Sequence, residues 1–240
     1  MAVTFAISTA STTGGTTDAS GSFTPAAGDL LVVLVVATGR TGAGTCIESL
    51  GETTFTQVTT ALKASSADTL YLFIANQPLA TSGARTVTVG GGSSTGTVIT
   101  VYRISGQSKF GAGAARQTAV QSNQAAAGTP APAFTNAVLT TNPTLGVVGN
   151  ATSPATMTPP TSWTEDSDNG YSTPTAGQES VSRVSGFTGT TVTWGGTSAT
   201  AFGDIIVEID TSSFPAGEED ARNPLILKYT PAEPDITVWQ

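Results

Sequence analysis

The sequence predicts an all-β protein: one large β-sandwich with an internal pseudo-repeat, followed by an extended C-terminal arm. Three features carry that expectation. No window of a dozen residues repeats apolar positions at helical spacing without a Gly, Pro or Ser/Thr cluster breaking it, so the signal of an amphipathic helix is missing. Short runs rich in Val, Ile, Thr and aromatic residues, bounded by Gly, Ser, Asn or Pro, recur instead, and such runs fit a pleated, half-buried surface. The chain also repeats itself. Residues 86–105, TVTVGGGSSTGTVITVYRIS, align without gaps to residues 191–210, TVTWGGTSATAFGDIIVEID, with eight of twenty positions identical.

Taken in order, strands are expected near residues 3–7, 30–36, 54–60, 69–75, 86–89 and 97–104, then near 118–121, 144–148, 162–164, 179–184, 190–194 and 204–209. Residues 30–36 are apolar on both faces, so they form either a central strand covered twice or one whose outer face meets another subunit. The last run alternates. Ile205, Val207 and Ile209 share one face and Ile206, Glu208 and Asp210 the other, the pattern of a strand covering a core on one side. Upstream of the aligned segments, FTPAAGDLLVV from Phe23 resembles FTNAVLTTNPTLGVV from Phe134, so halves of about 1–110 and 111–212 offer a similar strand order. Tandem domains and two halves of one sandwich both satisfy this. Residues 111–132, low in charge and holding a strand, favour one sandwich over a free tether.

Beyond Asp210 the composition changes. Residues 214–240, FPAGEEDARNPLILKYTPAEPDITVWQ, hold five of the seventeen acids and four of the thirteen prolines, with two short apolar runs. Proline at that spacing forbids a helix. Runs of four or five residues cannot bury themselves, so residues 213–240 are expected to form an assembly arm. Its Leu225, Ile226, Leu227, Tyr229, Ile236, Val238 and Trp239 would bind a sheet edge or groove.

A chain of 240 residues can bury a sufficient core without staples. The single cysteine, Cys46, forms no intrachain disulfide and makes no zinc site alone. Charged residues are 11% of the chain against a usual ~25%, and hydroxyl side chains take their place. A formal charge of −8 with nine scattered Lys and Arg argues against nucleic acid, which needs a basic face. The longest apolar run, LLVVLVVA from Leu30, is far short of the ~20 residues of a membrane helix. No basic segment precedes the apolar stretch at the N-terminus, so neither a secretion signal nor a membrane span is expected, and folding in the cytoplasm is.

The chain has no histidine, so Ser-His-Asp and Cys-His arrangements are impossible. Paired carboxylates remain chemically open, but the acids of the sandwich region fall in expected loops or on outer strand faces. No catalytic residue, cofactor or metal is expected. TEDSDNG, with Glu165, Asp166, Asp168 and Asn169 before Gly170, spaces oxygens as a calcium loop does. It lacks the downstream glutamate, although Glu179 could approach in space, and reads as a solvated turn after Trp163. Glycines 90–92, 111 and 113 open no helix after a strand, so they read as turns and not as a phosphate cradle. Asn150-Ala151-Thr152 matches a glycosylation acceptor. Trp194 and Tyr102 read as core, whereas Trp163 and Tyr171 fit either a core or a platform for sugar rings.

GDLLVVLVV (28–36), TLYLFIAN (69–76), MTPPTSWTE (157–165) and GFTGTTVTWGGTSA (186–199) resemble, in style and order, a group of tailed-bacteriophage virion proteins. The resemblance spans roughly residues 23–210 and leaves out the arm. It implies a virion structural protein with a jelly-roll-like β-sandwich; the role expected of it is that of a capsid decoration or cement protein that stabilises contacts between capsid subunits, which needs no active site and benefits from a rigid sandwich with an arm that adds strands to neighbours. Its partners would be other virion proteins, the major capsid protein among them, and further copies of itself, with a trimer favoured. The alternative is a carbohydrate-binding module on a tail or head fibre that attaches to the host.

Overall fold

The computed structural model describes residues 2–12, 15–40, 42–63, 68–152, 157–173 and 175–212; the seven expected arm residues, Leu225 to Trp239, lie outside them. The strands are β1 (Ala2–Ser11), β2 (Gly15–Ala19), β3 (Leu30–Thr38), β4 (Thr45–Glu48), β5 (Phe55–Leu62), β6 (Asp68–Ala75), β7 (Val87–Ser94) and β8 (Gly96–Ser105). After a short 3-10 turn at Gly111–Ala114 come β9 (Ala115–Gln124), β10 (Thr144–Asn150), β11 (Thr164–Ser172), β12 (Thr175–Arg183) and β13 (Phe202–Ile209). The all-β reading therefore holds.

Three antiparallel sheets result, ordered β1-β8-β3-β6-β5, β9-β13-β10-β12-β11 and β2-β7-β4. The two five-stranded sheets share one connectivity. If the strands of each are counted in chain order, their spatial order is first, fifth, second, fourth, third. The aligned segments occupy matching places in it. Arg85 and Thr190 immediately precede those segments, and their carbonyls accept the amides of Phe23 and Phe134, each at 2.9 Å. Gly90 and Gly195, both fifth in the aligned segments, pair with Thr45 and Thr158.

The small third sheet has only a remnant in the second half. Where β2 pairs with β7, the second half offers residues 128–133, and Pro130 and Pro132 have no amide to donate. Val192 and Trp194 give their N–H groups to those two carbonyls at 3.0 Å, and neither proline returns a bond. Residues 190–194, expected as a strand, therefore form no continuous two-way ladder and make an isolated bridge from Thr191 to Ala133 beside these one-sided bonds.

One core joins the large sheets. Leu145, Val147, Ile205, Val207 and Ile209 of the second cluster with strands β3, β6 and β8 of the first. Gly149 and Gly203 face each other across β10 and β13 where the sheets come closest. A Cβ on Gly203 would lie 2.2 Å from the Leu62 carbonyl oxygen, and one on Gly149 2.9 Å from the Val36 methyls. Only glycine fits a backbone approach of that kind.

Both outer faces are covered from within the chain. Over the first sheet lies the β2-β7-β4 sheet, whose Cys46, Val87 and Val89 belong to the main core. Over the second lie residues 127–142, 157–163 and 184–200, with Phe134, Val138, Met157, Trp163, Val192 and Trp194 packed on Val148, Val181, Phe202 and Ile206. The two-sided apolar pattern of β3 is thus explained without a partner subunit. β13 departs from the one-sided reading: it is buried along its whole length, Asp204 and Glu208 included.

Two local expectations are corrected. TEDSDNG is not a solvated turn but most of edge strand β11, paired with β12 through a bulge at Asp166; the ladder with β12 outweighs the low strand preference of Asp and Asn. Glycines 90–92 lie within β7, where Gly91 has φ +106° and a Cβ would sit 2.1 Å from the Ala43 carbonyl oxygen. The run permits close backbone approach and makes no turn.

Candidate functional site

With no histidine in the chain, carboxylates are its most numerous acid–base groups, and β-pairing collects two of them. Glu179 pairs with Val148, which pairs with Asp204 on its other side, so both acids share a row on the outer face of the second sheet, beneath the cover. In the first sheet the matching residues beside Val35 are Tyr71 and Ile99. The acids belong to the second half alone.

Six carboxylates are buried among the described residues: Asp18, Asp29, Glu48, Glu179, Asp204 and Glu208. Four have an arginine: Asp18 with Arg40 at 2.9 Å, Asp29 with Arg103 at 3.6 Å, Glu48 with Arg85 at 3.5 Å and Glu208 with Arg116 at 2.6 Å. Glu179 and Asp204 have none. Asp204 Oδ1 accepts the Gln121 amide at 2.9 Å, while its Oδ2 and both oxygens of Glu179 lack any hydrogen-bond partner by geometry. Burial pushes Asp204 up to about 8, with Gln121 opposing it. Burial does the same to Glu179, aided by the charges of Glu165 and Asp168 and only weakly opposed by the Met157 amide, and it too reaches about 8. The indole Nε1 of Trp194, a residue of that cover, is also unpartnered. The two acids are sealed from solvent, so the row offers no surface on which a substrate could lie.

The calcium-like spacing does not assemble a ligand set. The bulge turns Asp166 inward, where the Tyr102 hydroxyl donates to its Oδ2 at 2.9 Å. No group of three His, Cys, Asp or Glu able to hold a metal occurs among the described residues. Asn150 is fully buried and its Nδ2 donates to Ser198 Oγ at 3.1 Å, so it cannot accept a glycan while folded. Trp163 and Tyr171 are core residues, 8% and 6% exposed. Trp163 meets Phe187 edge to face, and the Tyr171 hydroxyl is 2.6 Å from Thr38 Oγ1. Neither ring presents a face to a sugar. Trp194 and Tyr102 are core, as the sequence suggests.

What the described chain does build is a fastening of its last described residues, 210–212, onto the rest of the fold. The Asp210 amide donates to the Ala114 carbonyl at 2.8 Å, and Gln107 Nε2 donates to the Asp210 carbonyl at 2.9 Å. Lys109 Nζ reaches both the Asp210 carboxylate and Ser212 Oγ, the latter at 2.7 Å. Thr211 donates from its hydroxyl to Asn142 Oδ1 at 2.6 Å. Burial alone would raise the Asp210 carboxyl, but Lys109 and the Ser212 amide and hydroxyl outweigh it and hold it below the usual range. Residues 210–212 are thus fixed on the 107–109 loop and on Asn142. Large apolar side chains stand exposed at Ile47, Leu50, Val120, Leu139 and Val184. Leu139 and Val184 lie on two loops tied together by the Gly186 amide on the Thr140 carbonyl, next to Asn142. The fastening of residues 210–212 carries no sequence signature, since its partners lie 69 to 103 residues away. No family model matches the chain, and no curated protein matches it significantly.

Proposed function

We propose that the chain is a structural protein of a tailed-phage virion, a decoration or cement protein that joins capsid subunits through its C-terminal arm. The observation that carries this reading is the anchor at Gln107, Lys109, Asn142 and Ser212, which gives residues 213–240 a fixed starting point on a closed sandwich. An arm held at its root searches a smaller volume for its partner than a free tail does. Both sheet faces are already covered, so the sandwich serves as a rigid body and the arm supplies the adhesive segments. Leu225, Ile226, Leu227, Tyr229, Ile236, Val238 and Trp239 are assigned to contacts with the major capsid protein or with further copies of the chain, in a trimer. The phage resemblance of residues 23–210 supports the virion setting. No catalytic step, cofactor or nucleic acid enters this reading. Host-glycan attachment is disfavoured, because Trp163 and Tyr171 are buried.

The test deletes residues 214–240. The truncated protein should keep its melting temperature within a few degrees and lose binding to capsids that lack the protein. Truncated protein that binds capsids with full affinity refutes the assignment.

A further inference from the structure

The cover over the second sheet differs from everything else that encloses buried charge in this protein. Its three segments, residues 127–142, 157–163 and 184–200, contain no Asp, Glu, Lys or Arg. Glu179 and Asp204 lie directly under it, and no element packed on them brings a cation. From β11 the groups beside Glu179 are two more carboxylates, Glu165 and Asp168. β10 places Val148 between the two acids. β9 offers Asp204 the neutral Gln121, and the next acid on β13, Glu208, holds Arg116. Arg183, at the end of β12, donates to the carbonyls of Ser185 and Gly186 and stacks on Phe187. A buried carboxylate without a partner cation is tolerated only while protonated, because the ionised form forfeits its hydration with nothing in return.

We infer that this uncharged layer is a pH-governed cover: it stays seated while Glu179 and Asp204 are protonated, and their ionisation as pH rises releases it. Lifting the cover hydrates both groups while the sheet keeps its own ladders; the isolated bridges and the proline ladder run within the cover, which meets the sheet through apolar packing and through bonds from the amides of Ala131, Asn136 and Leu139 to the side chains of Gln121, Gln117 and Glu208. With the cover lifted, the carboxyls regain ordinary values near 4; with it seated they titrate near 8. Below the ordinary values both states are protonated and the seated form has its full advantage. Between there and about 8 only the lifted form releases its protons, so the seated form loses ground continuously across that window. Each carboxyl shifts the balance by up to about tenfold per pH unit. The inference stands independently of any capsid role.

Hydrogen exchange of the full-length protein at pH 5 to 9, corrected for intrinsic exchange rates, reads this directly. Peptides from the three cover segments should lose protection as pH rises, while peptides from β7, over the arginine-paired acids of the first half, serve as the control and should hold steady. The Glu179→Gln/Asp204→Asn double variant should abolish the pH dependence of the cover. Equal protection of the wild-type cover at pH 5 and pH 8, once corrected, overturns the inference, as does an undiminished pH dependence in the double variant. Should the double variant not fold, each single variant must reduce the slope, and the wild-type profile alone still decides.

Discussion

The Asp18–Arg40 pair gives the sharpest test of how the small sheet is held on the sandwich. Arg40 follows the end of β3 and is fully buried; its Nη2 is 2.9 Å from Asp18 Oδ2 and its Nη1 donates to the Gly90 carbonyl at 3.0 Å. The hydroxyls of Ser94 and Thr97 also donate to Asp18 Oδ2, each at 2.6 Å. One carboxylate thus draws β2, β7, β8 and the end of β3 to a single point. Arg40→Met keeps most of the volume and removes the charge. It leaves Asp18 enclosed with two hydroxyl donors and no cation. Removing one member of a buried ion pair costs about 3–5 kcal/mol, which for a domain of this size lowers the melting temperature by roughly 6–20 °C. Adding Asp18→Asn removes the stranded charge and should recover most of the loss, as neutral replacements of buried pairs often do. Thermal and urea unfolding of the two singles and the double make a complete cycle. An Arg40→Met loss below about 1 kcal/mol, or a double variant no better than the single, refutes this account of the pair.

Two further substitutions test the core and the disfavoured glycan reading. Gly203→Ala should cost about 1–3 kcal/mol in urea unfolding, because its Cβ would sit 2.2 Å from the Leu62 carbonyl oxygen and backbone must give way; a neutral result means the sheets are farther apart than described. Trp163→Ala should lower stability by about 3–5 kcal/mol, as for a buried aromatic, and a glycan array should show no reproducible binding before or after. Binding that the substitution abolishes would reverse the assignment.

The sequence by itself determined the class of fold, the positions of most strands of the two large sheets and the existence of two similar halves. Those readings rest on local quantities: side-chain period, turn residues and self-similarity. It also settled that no histidine chemistry is available. The tertiary structure alone decided which faces are inside. Glu208 and Asp204 sit on the polar side of an alternating strand, and the polar side of β13 faces solvent only if nothing covers it; residues 127–142 and 184–200 do so. The weak strands β2 and β4 owe their state to β7, far away in sequence, and β11 owes its state to its hairpin partner β12 despite its run of Asp and Asn. Glycines 90–92 look like a turn until the backbone at Ala43 is placed against them. The fastening of residues 210–212 and the pairing of four buried acids with arginines, set against the two left unpaired, follow from register between strands, and register is fixed by the whole sheet at once rather than by any one segment.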